Sequence, residues 1–321
     1  MREISEIFAQ EFRKNVLFEL YQKHQNELFL GVRDNQINLY YNALSVCEVS
    51  MKAKGGFSCK TSSKYLGQVG KNRLLTVRDT DICDNYSAIK GIMHDVYGSK
   101  EKEKWAQQEL VLRNNLNVSS NWYCIDMEYV RENKIRAGRI DIIVLSKAKP
   151  HRVAIIEVKY NLGAVNGKSG VYKHVSDFYD IVRIQDSSNE FKSYIMRDIV
   201  GIVASMNRIF KSAYPLKLEG ISDMKDEPEF YIITLDNNPL TQKHTTPKMT
   251  MGGYVFNKDN PKYIKAGTRR QTTKGTVESI FGDITNPAND KLYAHFLFSR
   301  DVAGSITITD IIDDKSYERE F

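Results

Sequence analysis

The sequence predicts an α/β fold with an α-β-β-β-α-β core, a mixed central sheet, a small N-terminal α+β region and a C-terminal β element. Three observations carry that expectation. Two apolar runs, Arg139–Leu145 and Arg152–Tyr160, are each about a strand long and are joined across the turn signal Lys147–Pro150, so they read as adjacent buried strands. Ahead of them, residues 84–118 have helical periodicity and Trp122–Val130 is an extended run. Behind them come two helical stripes and the apolar strand Glu229–Leu235.

Taken in order, residues 4–24 read as one amphipathic helix striped by Ile4, Ile7, Phe8, Phe12, Val16, Leu17, Leu20 and Tyr21. The period then changes to two. Leu28–Val32 and Ile37–Met51 look extended, parted by the turn Arg33-Asp34-Asn35, with a register shift at Asn42-Ala43. Tyr40 and Tyr41, followed by Lys52, Lys54, Lys60 and Lys64, suit either ordinary sheet packing beside a solvated basic loop or a base-stacking surface.

In the next helix Trp105, Glu109, Leu112 and Leu116 fall at i, i+4, i+7 and i+11, which places Glu109 on an apolar face, while Glu101 and Glu103 read as solvated. After Tyr160 a glycine-rich loop, Asn161–Gly170, leads into a helix striped by Val171, Val175, Phe178 and Val182. A second helix at 193–211 is striped by Ile195, Ile199, Ile202, Met206 and Ile209. Asn237–Pro247 is rich in turn residues. Lys262, Lys265, Arg269, Arg270 and Lys274 then form a basic run without an acidic residue, either a solvated loop or a phosphate-contacting flap. Tyr293–Phe298 and Ser305–Ile312 look like closing strands. The organisation expected is an N-terminal region at 1–90, a core at 91–240 and a C-terminal basic loop and β element at 241–321.

Composition narrows the function classes. The chain of 321 residues carries a net charge of +6, which tolerates a polyanionic partner without requiring one. Cys47, Cys59, Cys83 and Cys124 contain no CxxC pair, so neither a zinc site nor a disulfide framework is indicated and reduced thiols are expected. The N-terminus is charged and helix-like rather than a signal peptide, and no apolar run approaches the roughly 20 residues that span a bilayer. A cytoplasmic protein is the expectation.

The two central strands carry charge where a core strand should carry none. An unpaired carboxylate in an apolar interior costs several kcal/mol on an order-of-magnitude view, so Asp141, Glu157 and Lys159 need a common reason. Alternation puts Glu157 and Lys159 on one face, and hairpin pairing would set Asp141 across from Glu157. A metal ion is one such reason and a structural ion pair of Lys159 is the other.

Glu109 on a helix, Asp141 on a strand and Glu157-Val158-Lys159 ending the next strand resemble the PD-(D/E)XK nuclease superfamily, with its restriction-endonuclease-like core, over roughly residues 95–236. The triplet alone is weak. Glu132-Asn133-Lys134, Glu190-Phe191-Lys192, Asp223-Met224-Lys225 and Asp313-Asp314-Lys315 also fit it, but only the triplet at 157–159 ends an apolar strand preceded by an acid-bearing apolar strand. The sequence departs from the pattern in having Ile140 before Asp141 where a proline would stand.

The resemblance implies a metal-dependent endonuclease acting on DNA ahead of RNA. Asp141, Glu157, the Val158 carbonyl and Glu109 would hold Mg2+, with Mn2+ as a substitute, and Lys159 would orient water or meet charge on the phosphate. Lys168, Lys173 and His174 are accessory candidates, and the basic run at 262–274 is a candidate nucleic-acid contact. The resemblance is also compatible with a homodimer, with partner proteins of a defence or repair system, and with a catalytically silent nuclease-like fold that binds nucleic acid or protein. Gly163–Ser169 imitates a phosphate-binding loop but is one residue short, with Leu162 where the first glycine belongs.

Overall fold

A computed structural model describes residues 2–67, 73–97, 102–130, 139–160, 174, 178, 181, 191–235, 252–257, 293–298, 306–313 and 318–320. The N-terminal helix is two helices, α1 (Glu6–Phe12) and α2 (Val16–Lys23). The Ser5 side chain accepts from the Phe8 amide at the start of α1, and that of Asn15 accepts from the Leu17 amide at the start of α2. The second cap starts a new helix, and within α1 the buried residues are Phe8, Ala9 and Phe12, so Ile7 is exposed although it fits the single-helix stripe.

Strands β1 (Phe29–Arg33), β2 (Gln36–Tyr41), β3 (Leu44–Met51), β4 (Phe57–Ser62) and β5 (Leu74–Val77) pair in chain order as an antiparallel sheet. The irregularity read at Asn42-Ala43 is a two-residue hairpin turn between β2 and β3. Both turn residues have positive φ (51° and 56°), the primed geometry that matches strand twist. Alanine is poorly suited to that conformation, and a later helix stitches it in place: Gln108 accepts the Ala43 amide at 2.7 Å and donates to the carbonyls of Glu27 and Tyr40. Tyr40 and Tyr41 are buried, so they serve packing rather than base stacking.

Next come α3 (Asp79–Tyr97), which buries Ile82, Tyr86, Ile89 and Met93, and α4 (Lys102–Leu116). They lead into β6 (Trp122–Val130), β7 (Arg139–Ser146), β8 (Val153–Tyr160), a π-helical turn at Phe191–Ile195, α5 (Met196–Phe210) and β9 (Glu229–Leu235). Strands β10 (Gly252–Asn257), β11 (Tyr293–Phe298) and β12 (Glu318–Glu320) extend the second sheet, with the short helix α6 (Ile308–Ile312) before β12. Its order is β12-β10-β11-β9-β8-β7-β6, with β6, β7 and β8 antiparallel and β8 parallel to β9.

Ile308–Ile312 is therefore a helix, not the closing strand its apolar pattern suggested. Thr307 and Asp310 form a reciprocal capping box there, a local signal that outweighs β-branched content over so short a run. The helix striped by Val171 and Val182 lies largely outside the described residues; His174, Phe178 and Ile181 are helical.

The second sheet is the middle of three layers. On one face Ile143, Leu145, Val153 and Ile155 join a core with α5, α1, α2, α3 and the first sheet. On the other, Ile142, Val144, Ala154, Ile156 and Val158 pack with Ala106, Leu110 and Val111 of α4 and with Ile308, Ile311 and Ile312 of α6. Among the described residues no helix is long and apolar enough to cross a membrane.

Candidate active site

The register of β7 with β8 runs from Leu145↔Val153 to Ile142↔Ile156 and stops there. The next level is Asp141 opposite Glu157. At this point the Asp141 side chain replaces main-chain pairing, its Oδ2 accepting the Val158 amide at 2.9 Å. Both acids and Lys159 are buried, at 2–4% exposure, because they sit at the end of two strands that are apolar on both faces. Lys159 Nζ donates to Glu157 Oε1 at 2.7 Å, and His174 Nε2 lies 2.9 Å from the same oxygen. Hairpin pairing thus produces the juxtaposition that alternation alone only allowed.

Burial works against the charged forms of these groups. Burial first, and the charge of Glu157 second, push the Asp141 carboxyl well above the usual range, against the pull of Lys159 and the Val158 amide. Burial likewise pushes Glu157 up to about 7 although Lys159 pulls it down. Burial works to lower Lys159, but the charges of Glu157, Asp141 and Glu103 more than offset it, so the amine stays an ammonium at neutral pH. That suits a charge-stabilising or water-orienting group and not a proton acceptor.

Glu109 does not join this cluster. It pairs with Arg113 one turn along α4 at 2.9 Å and is a third exposed. The acid that α4 delivers is Glu103, whose carboxylate lies 3.6 Å from Lys159 Nζ. The reason is the phase of the helix: its buried residues are Ala106, Gln107, Gln108, Leu110, Val111, Leu112 and Asn114, so of the expected stripe Leu112 is buried while Leu116 is exposed. Three buried polar residues, Gln107, Gln108 and Asn114, hid the true face. A second acid missing from the sequence reading is Glu128 on β6, one of two acids in an apolar run, where burial first pushes the carboxyl up to about 7 and Asp141 adds to the rise while Arg139 opposes it.

His174 is the accessory candidate that the structure places at the site. Lys168, Lys173, Lys262, Lys265, Arg269, Arg270 and Lys274, and the imitation phosphate loop at 163–169, lie outside the described residues. Among the described residues no three His, Cys, Asp or Glu side chains converge as a complete metal-ligand set. The donor chemistry nonetheless fits a hard cation: two buried carboxylates and a main-chain carbonyl are oxygen ligands, and Mg2+ takes one or two carboxylates and fills the rest of its shell with water and substrate oxygens. No family model, curated protein or solved structure matches the chain.

Proposed function

We propose that the chain is a divalent-cation-dependent nuclease, hydrolysing phosphodiester bonds of DNA ahead of RNA, on a restriction-endonuclease-like core formed by α4, β6, β7, β8, the helix of His174 and β9. The observation that carries this reading is the convergence of Asp141, Glu157 and Lys159 at the ends of two buried strands, with Glu103 closing over the lysine. A structural ion pair would need one acid for one base. Here three carboxylates surround a single lysine and a histidine, and both buried acids favour protonation when nothing else neutralises them.

Asp141 and Glu157 would hold the cation together with the Val158 carbonyl. When bound, Mg2+ supplies a more acidic water and neutralises charge on the phosphate. Lys159 then meets the charge that develops on the phosphoryl oxygens, and Glu103 and Glu157 hold its ammonium in place. His174, 2.9 Å from Glu157 Oε1, fixes that carboxylate's orientation through its outer oxygen.

The test is hydrolysis of labelled DNA and RNA with Mg2+, with Mn2+ and with chelator. Asp141→Asn, Glu157→Gln and Lys159→Ala are each expected to lose activity on the order of 10²-fold or more. Cleavage unchanged in all three variants would remove the assignment. Binding without cleavage in either metal would instead favour a silent nuclease-like fold.

A further inference from the structure

A cavity of about 100 Å3 opens where α2, β1, α4, β6 and α5 meet, with Tyr214 beyond α5 in its wall. It is remote from the buried acids and Lys159. Leu112, Asn115 and Leu116 reach it from the C-terminal end of α4, whereas Glu103 meets Lys159 near the other end, about 18 Å back along the helix. Close packing normally removes a void of this size, so this one needs a reason.

Rings make up much of the wall. Tyr21, Phe210, Tyr214 and Tyr123 follow one another with centroids 5.8 Å, 6.3 Å and 5.2 Å apart in that order, and Phe29 adds a fifth ring. No Asp, Glu, Lys, Arg or His lines the space. Burial holds the Tyr21 phenol up at about 12 and pushes the phenols of Tyr123 and Tyr214 and the Cys124 thiol well above their usual values, so the whole wall is uncharged at neutral pH. A charged guest would lose hydration there without meeting a counter-charge. A flat neutral ring would instead meet aromatic faces and edges, the arrangement such rings favour.

Two polar side chains of the wall differ in how they are engaged. Asn115 is held by the main chain of Cys124, donating to its carbonyl at 2.8 Å and accepting from its amide at 2.8 Å. The Tyr214 hydroxyl is buried without a hydrogen-bond partner among the described residues, in a residue only 4% exposed. A buried hydroxyl seldom stays unpaired, and the space beside it lets the ring turn that hydroxyl onto an oxygen of a guest.

We propose that this cavity binds a neutral, single-ring aromatic molecule bearing a hydroxyl or carbonyl oxygen that pairs with Tyr214. An apolar cavity of about 150 Å3 holds benzene, so this one takes one ring and not two. Leu116, which is 53% exposed, and the exposed Gln25 mark its mouth. The site needs no metal and stands independently of the nuclease reading.

The experiment is titration of the full chain, with chelator present, by phenol, toluene and benzoate, followed by ligand-observed nuclear magnetic resonance. Phenol is expected to bind one saturable site with Kd on the order of 1 mM or tighter, and benzoate not to bind. Toluene, which lacks the oxygen, is expected to bind about threefold more weakly than phenol or worse. Leu116→Trp sets an indole across the mouth and is expected to abolish phenol binding. Tyr214→Phe keeps the ring and removes the hydroxyl, so phenol is expected to fall to the affinity of toluene. Absence of saturable phenol binding overturns the proposal, as does benzoate binding as tightly as phenol. Phenol affinity unchanged in either variant also overturns it. If Leu116→Trp unfolds, Tyr214→Phe decides alone, and because cleavage is not the readout, failure here leaves the nuclease reading standing.

Discussion

Glu103 and Glu109 lie six residues apart on α4, about 120° around its axis, and only the first reaches Lys159. Glu109→Gln is therefore expected to leave cleavage within about twofold of wild type, at the cost of a surface pair worth under about 1 kcal/mol. Glu103→Gln is expected to lower kcat at least tenfold with little change in KM. Single-turnover rates on one DNA duplex check both, and equal losses in the two variants would reverse the assignment of the helix face. The central pair of acids was legible because a charge in an apolar strand demands a partner, whether an ion or a basic side chain. The helix acid was not, because Gln107, Gln108 and Asn114 are buried on α4 and a polar letter reads as solvent. Asn114 belongs there for a reason only the fold reveals: its side chain donates to the Trp122 carbonyl at 3.0 Å and accepts from Ser120 at 2.7 Å.

Among elements, β6 carries the most divided duties. It is the last strand of its sheet, and an edge strand presents unpaired main-chain groups. Here arginines from the N-terminal region take that place. Arg33 donates to the Met127 carbonyl at 2.8 Å, and Arg2 donates to that of Val130. Both also hold Asp126, so Arg33→Ala leaves a buried carboxylate half-neutralised and is expected to cost about 3–5 kcal/mol in urea denaturation; a loss below 1 kcal/mol would show that the pair is dispensable. The strands themselves were readable from apolar runs. The partners of Asp126 were not, since Arg2 and Arg33 lie 124 and 93 residues away and no local pattern joins them to β6. The helix at Ile308–Ile312 escaped for the opposite reason: its signal is a capping pair, confined to four residues, inside a stretch whose composition favours a strand.

For the whole molecule, the buried acids set a pH dependence. Glu157 and Glu128 ionise near pH 4.5 in an unfolded chain but near 7 in the fold. Between those values the folded state binds more protons than the unfolded one, so stability falls as pH rises through the window and is lowest above it. Without divalent cation, Tm is expected to be higher at pH 5.5 than at pH 8 by several degrees, at roughly 2–4 °C per kcal/mol. Millimolar Mg2+ at pH 8 should recover most of the difference, and Glu157→Gln should flatten the profile. Calorimetric scans on the metal-free chain decide it, and a Tm that rises from pH 5.5 to 8 would refute it. The arrangement of Asp126 and Glu128 gives the molecule one more property. They stand two apart on one strand, the first gripped by Arg2 and Arg33 of the N-terminal region and the second paired with Arg139 of the neighbouring strand, so β6 is tied on both sides by arginines. Weakening the arginine grip on Asp126 would therefore loosen β6, the strand that pairs with Asp141's own strand, without altering any residue of the candidate site.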